Sequence, residues 1–221
     1  MTKTVLLAGA SGLVGGKIFK ELENNNVKII SLARNKFHSD SDVEEIICDF
    51  NQIDALNSKI ILDEVYIAIG KQLKLYELLY LRKSERAGFK KVDFDFIKSV
   101  ALFAKKNGAK SIGIVSAIGA NHKSRNTYLK IKGEIEKEII SIGFQKIVIA
   151  RPGHLLGKRK HEKLLISIFE KITNVVGYLM IGPFSKFRNI SASKVASSLV
   201  SKMNSDEDGI CFIDFDDFKK L

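Results

Sequence analysis

The chain has 221 residues, of which 45% are apolar, enough for one domain (residues 1–221) with a full core. No apolar run reaches the length of a membrane span and the N-terminus passes straight into a strand with no signal-peptide layout, so a cytoplasmic protein without a membrane partner is expected. The formal charge of +11 comes from scattered lysines, and the one dense basic cluster, Lys158-Arg159-Lys160-His161, has no interleaved aromatic residues, which argues against a specific nucleic-acid partner.

The first element is the short apolar run Val5-Leu6-Leu7-Ala8, which reads as a buried strand. It runs into Gly9-x-x-Gly12-x-x-Gly15, after which Lys17 to Leu22 takes a helical period. Strand, glycine turn and helix are the context of a dinucleotide-binding turn. Gly9 allows the tight turn, Gly12 lets a pyrophosphate approach the backbone, and Gly15 lets the helix pack closely. Gly9, Ser11, Gly12, Leu13 and Gly15 are therefore the expected pyrophosphate site, at the positive end of the helix.

Further strands are expected at Val27–Leu32, Glu44–Cys48, Glu64–Ile69 (ending at Gly70), Ser111–Ser116 and Lys146–Ala150, the last broken by Pro152-Gly153. Helices are expected at Val92–Lys106, closed by Asn107-Gly108, and at Tyr128–Ile142, closed by Gly143. Residues 71–91 carry no clear period. Strands alternating with helices predict a doubly wound parallel sheet of the Rossmann type, an α/β fold. In the last third, helices at Leu164–Lys171 and Ser191–Met203 and a strand at Ile210–Phe215 predict a small C-terminal cap over residues 154–205. The acidic tail, Asp206 to Asp217, reads as a solvated edge. Cys48 and Cys211 sit in apolar runs and read as small core residues, and no cluster has metal-ligand spacing.

After the second strand, NAD-preferring enzymes place an acid for the ribose 2′-hydroxyl. Here the stretch is Leu32-Ala33-Arg34-Asn35, and Arg34 suits a 2′-phosphate instead, which predicts NADP as the cofactor. Asp49 either faces the adenine or caps a helix starting near Asn51. Gly70 would let the backbone pass close to the cofactor's ribose. The second strong signal is Tyr128-Leu129-Lys130-Ile131-Lys132, where Tyr128 and Lys132 share a helical face. A carbonyl that accepts hydride must also receive a proton. Tyr128 is the candidate donor, Lys132 lowers its pKa and can hold the nicotinamide ribose, and Ser116 at the end of the fifth strand orients the carbonyl. His154 and His161 stand outside any motif and read as loop residues.

Gly9-Ala-Ser-Gly12-Leu-Val-Gly15, Val115-Ser116-Ala117, Tyr128-Leu-Lys-Ile-Lys132-Gly133-Glu134 and Arg151-Pro152-Gly153 occur in the order seen in one family, and Phe89-Lys-Lys-Val92-Asp93-Phe94-Asp95 and Lys186-Phe187-Arg188-Asn189-Ile190 to Val195-Ala196 share the likeness. Together they resemble the atypical short-chain dehydrogenases/reductases, on the branch of the Tat-interacting-protein oxidoreductase. The resemblance implies NADPH binding, a Ser116–Tyr128–Lys132 triad, and Pro152 and Gly153 against the nicotinamide. The loop Lys71-Gln72-Leu73 departs from the family pattern, and no motif locates the asparagine that completes a proton relay in many members. The expected activity is reduction or oxidation of a small carbonyl or hydroxyl substrate. The alternatives are an NADPH-binding sensor that acts on a protein partner and an epimerase of the sugar-nucleotide type.

Overall fold

Val5, Leu6, Leu7 and Ala8 are all fully buried, and they alternate between two cores. Val5 and Leu7 enter one, Leu6 and Ala8 the other. Such a strand must be covered on both faces. The computed structural model describes residues 2–36, 43–53, 56, 60–153, 155–156 and 189–219. Its strands are β1 (Thr4–Ala8), β2 (Lys28–Ala33), β3 (Glu44–Ile47), β4 (Glu64–Ile67), β5 (Ser111–Val115), β6 (Lys146–Ala150), β7 (Leu155–Leu156), β8 (Ile190–Ser191) and β9 (Gly209–Ile213). Its helices are α1 (Gly15–Glu23), α2 (Leu75–Leu79), α3 (Lys83–Lys90), α4 (Ile97–Lys106), α5 (Thr127–Ile142), α6 (Ala192–Met203) and α7 (Phe215–Lys219). Seven strands form one sheet in the order β3-β2-β1-β4-β5-β6-β9, and every pairing is parallel. This is the expected doubly wound fold, and its strand order reverses between β1 and β4.

One face of the sheet is covered by α1 and α6, through Ile18, Phe19 and Leu22 against Val195 and Leu199. The other is covered by α4 and α5, through Ile97, Val100, Ile135 and Ile139. Helix α5 has a defined start and stop: Asn126 accepts from the Leu129 N–H at 3.0 Å, and Gly143 turns left-handed at φ +77°. The helix expected from Val92 begins earlier. Lys83 to Lys106 run without a break, α3 leading through a π-helical turn at Lys91–Phe96 into α4. Phe89 is the one buried residue of α3, so its sequence shows no apolar stripe. Helix α2 is anchored to the start of α5, where the Asn126 side-chain amide donates to the carbonyls of Leu78 and Leu79 at 2.8 and 3.0 Å.

Of the stretch expected as a cap, β7 and β8 pair as a separate two-stranded ribbon, while α6 packs on α1 as part of a main helical layer. The helix expected at Leu164–Lys171, the basic cluster at 158–161, His154 and His161 lie outside the described residues. The acidic tail lies on a solvated edge as expected, with Asp206, Glu207 and Asp208 exposed and β9 the last strand of the sheet, yet it is not only surface. It supplies β9 and α7, which bury Phe215 and Phe218, while the acids Asp216 and Asp217 lie in the first turn of α7. Replacing the fully buried Phe218 by Ala is expected to cost about 3–5 kcal/mol in urea unfolding. A loss under about 1 kcal/mol would show that the tail is peripheral.

Candidate active site

The site lies at the carboxyl ends of β1, β4, β5 and β6. Gly9 has φ +96°, and a Cβ there would come within 2.7 Å of the Ala68 carbonyl oxygen, so the turn after β1 touches the main chain after β4. The Gly12 N–H donates to the Gly9 carbonyl at 2.9 Å, and a Cβ on Gly15 would meet the Gly9 carbonyl carbon at 2.6 Å. The close packing of Gly15 is thus against the turn itself. The first turn of α1 has no acidic residue and no side-chain cap, and Ser11 and Leu13 are exposed or half-exposed beside it. A cradle of main chain at an uncapped helix N-terminus suits a pyrophosphate.

Arg34 follows the last residue of β2 and is exposed. Asp49, also exposed, follows β3. Its carboxylate accepts from the Asn51 N–H at 3.0 Å and the Asn51 side-chain amide at 2.6 Å. These bonds, the main-chain one first, hold it below the usual carboxylate range, with smaller help from Lys91 and Arg34. The side chain organises a turn; no α-helix begins at Asn51 among the described residues.

Tyr128 and Lys132 lie one turn apart on α5, as their spacing predicts. The Tyr128 ring packs against Phe89 of α3, with centroids 5.6 Å apart. Lys132 is 6% exposed, and its ammonium pairs with Asp93 of the π turn, Nζ to Oδ1 at 2.8 Å. The other Asp93 oxygen accepts from the main-chain N–H of Lys71 at 2.8 Å. A Cβ on Gly70 would sit 3.3 Å from Asp93 Oδ1. The expected lowering of the Tyr128 pKa does not dominate in this structure. Burial pushes the phenol up, Lys132 pulls it down, Asp93 pushes it up again, and the balance is upward. The physical reason is first the burial of the phenol, which outweighs the Lys132 ammonium, and then the Asp93 carboxylate beside it. Lys132 itself is pushed down by burial, but more than restored by Asp93, then Tyr128 and Glu136, so it stays above its ordinary value.

Ser116 directly follows β5, which ends one residue earlier than expected, and is buried. Its hydroxyl does not point along an open path to a carbonyl, however: it donates to Glu136 Oε1 at 2.5 Å. Glu136 also holds Arg151, with Nε to Oε1 at 3.0 Å and Nη2 to Oε2 at 2.5 Å. The Arg151 guanidinium stacks over Phe212 of β9. Beyond Arg151, the Pro152 carbonyl accepts from the Ile118 N–H at 2.9 Å, which ties the loop after β6, with Gly153, to the loop after β5. The structure therefore brings Tyr128, Lys132 and Gly70 together around Asp93, and gathers Ser116 around Glu136. Neither carboxylate was singled out by sequence. Glu136 continues the four-residue step Tyr128, Lys132, Glu136 and was legible from it; Asp93 was not, because a π turn sets its direction.

Cys48 and Cys211 are free and half-buried, and burial first of all pushes both thiols up. Among the described residues there is no metal-ligating cluster, and no helix is long and apolar enough to cross a membrane.

No family model matches the chain. The mitochondrial protein FMP52 of Candida albicans is 30% identical over 223 residues, spanning 99% of this chain and 97% of that one. Protein HTATIP2 of Rattus norvegicus is 29% identical over 168 residues, 73% of this chain and 66% of its own. That is the Tat-interacting-protein branch of the atypical short-chain dehydrogenases/reductases which the motifs resemble. Among solved structures, MoeE5 in complex with UDP-glucose and NAD matches with a TM-score of 0.68 at 12% identity, over 98% of this chain and 79% of that one. At that identity the likeness is one of fold. The cytoplasmic expectation is overturned, because FMP52 proteins from several yeasts, at about 30% identity, are named mitochondrial. Composition and apolar run length, on which that expectation rested, carry no address for a compartment.

Proposed function

We infer a function from the premise that this chain belongs to the family of the mitochondrial FMP52 proteins: it is an NADPH-dependent oxidoreductase of the short-chain dehydrogenase/reductase type, acting on a small carbonyl or hydroxyl substrate. The observation that carries this reading is the Tyr128–Lys132 step on α5, with a buried ammonium at the mouth of the β1–β4 crevice. The residues present suit the cofactor. Gly9, Ser11, Gly12, Leu13 and Gly15 would hold the pyrophosphate, Arg34 the 2′-phosphate, and Asp49 the adenine. Gly70 and Lys132 would hold the nicotinamide ribose, and Pro152 and Gly153 would lie against the nicotinamide. When bound, NADPH supplies hydride to the substrate's carbonyl carbon.

The chain's own part is to move the proton. Tyr128 gives its phenolic proton to the substrate oxygen, and Lys132 stabilises the phenolate left behind. A phenol held above its ordinary pKa keeps its proton at neutral pH, which suits reduction better than oxidation. Ser116 can take part in two ways. Its oxygen can accept from a substrate hydroxyl as it stands, or it can turn from Glu136 to donate to a carbonyl.

Calorimetric titration with NADPH and NADH, on the wild type and on Arg34→Ala, tests the reading. NADPH is expected to bind tighter in the wild type. Loss of charge-assisted bonds to a phosphate should cost Arg34→Ala about 10- to 100-fold in NADPH affinity, with NADH affinity unchanged. Equal affinity for both nucleotides would remove the NADP assignment, and binding of neither would remove the dinucleotide site.

A second reading, an NADPH-binding sensor that signals to a protein partner with little turnover, is favoured by one observation. The Ser116 proton is committed to a buried carboxylate that Arg151 also holds, so the carbonyl-orienting group is engaged elsewhere.

A further inference from the structure

Asp93 is 1% exposed, sits in the π turn Lys91–Phe96, and serves two donors from two different elements. Oδ1 takes the Lys132 ammonium of α5, and Oδ2 takes the main-chain N–H of Lys71, just past Gly70 at the end of β4. Single π turns inside helices often mark functional positions, because they re-aim a side chain that regular geometry would send elsewhere. We propose that Asp93 is a positioning residue that latches the Gly70–Lys71 loop to Lys132 and, through Lys132, sets the pH at which Tyr128 releases its proton. This rests on the roles given to Tyr128 and Lys132 above.

The chemistry of the side chain is the argument. A carboxylate has two acceptor oxygens, and here both are used by donors. An amide has one oxygen and two N–H bonds, so in the same place it can satisfy one donor and must confront the other with a hydrogen. The ammonium makes the stronger claim on the single oxygen, so the loop N–H is the one released. The loop has no second hold on this group, because the Lys71 ammonium is itself turned to Glu85 of α3.

The charges around Tyr128 can be enumerated by element. On its own helix are Lys132 and, a turn further and acting on Lys132, Glu136; the π turn brings Asp93, which the Lys71 N–H of the loop also holds; α3 packs its Phe89 ring on Tyr128. Asp93 stabilises the more protonated, more positive form of the Tyr128–Lys132 pair. Removing its charge therefore makes the first proton leave at lower pH.

The test uses the full chain labelled with 13Cζ-tyrosine and 15Nζ-lysine. The Tyr128 and Lys132 resonances are assigned by their loss in Tyr128→Phe and Lys132→Met. In Asp93→Asn, the first titration step of the pair is expected to fall by about one pH unit. Amide hydrogen exchange across residues 70–74 is expected to quicken by about tenfold or more, as its anchoring bond is lost. Either readout left at its wild-type value overturns the proposal. Should Asp93→Asn fail to fold, Asp93→Glu keeps the charge and both oxygens on a longer arm. It is expected to preserve the titration step and to quicken loop exchange; unchanged exchange overturns the latch. Neither readout involves a cofactor. A protein that fails to bind NADPH removes the functional reading, and a protein that binds it but shows no change in Asp93→Asn removes the latch.

Discussion

Tyr128→Phe is expected to lose about 10²- to 10⁴-fold in NADPH-dependent turnover over a panel of small aldehydes and ketones, while NADPH affinity stays within about twofold of the wild type. The variant deletes one hydroxyl and keeps the ring that packs on Phe89, so the fold has no reason to change. What goes is the one proton donor that the Lys132 ammonium can support across a single helical turn. Steady-state rates with calorimetry on the same preparation make the check. Turnover that survives at the wild-type level would mean that another group supplies the proton, and the roles given to Tyr128, Lys132 and Ser116 would fall together. A wild type that binds NADPH tightly and reduces nothing in the panel, as Tyr128→Phe also would, shifts the balance to the sensor reading.

Gly133→Ala is expected to be the most damaging single-methyl change on α5. Gly133 follows Lys132, and the chain at Asn121–His122 lies directly on it. An added Cβ would stand 2.6 Å from Asn121 Cα, with the main chain of Asn121 and His122 closer still. Those atoms are backbone and cannot rotate aside. Helix propensity alone would favour Ala by about 1 kcal/mol. Against it stands a displacement of the 117–126 segment, which carries the loop after Ser116 and the Asn126 cap. A net loss of about 3 kcal/mol is expected in urea unfolding. Retained stability would show that the segment can move away without cost. Even then the start of α5 would shift, and Tyr128 with it.

The Tyr128–Lys132 pair was legible because it needs only the step of one helix. The strands β1 and β6 were legible because their apolar runs are short and end in a glycine or a Pro-Gly break. The polar stretch 83–90 was not, since a helix that buries one residue, Phe89, leaves no periodic trace. Nor was α7, because it spans only five residues, of which Phe215 and Phe218 are the two that turn inward. Asp93 stands in the quoted stretch Phe89-Lys-Lys-Val92-Asp93, yet its meeting with Lys132 and Lys71 joins three elements, and no spacing within one element encodes that. The compartment was misjudged for a simpler reason: apolar run length and the layout of the first residues, on which the expectation rested, carry no compartment address.

The π turn at Lys91–Phe96 separates what the fold requires from what the site requires. It carries one residue more than a regular turn, and each residue advances a helix by about 100°. Ahead of it stands Phe89, within it Asp93, and behind it Ile97 and Val100 in the core of the sheet. Losing one residue from this turn would leave a continuous helix, still seated on the sheet by α4. Everything before the turn would swing about a quarter-circle, carrying Phe89 from Tyr128 and the carboxylate from Lys132. A lineage of this fold could thus shed its chemistry by a single codon deletion while keeping its scaffold, and the presence or absence of that one residue is a character by which active and inactive descendants could be told apart.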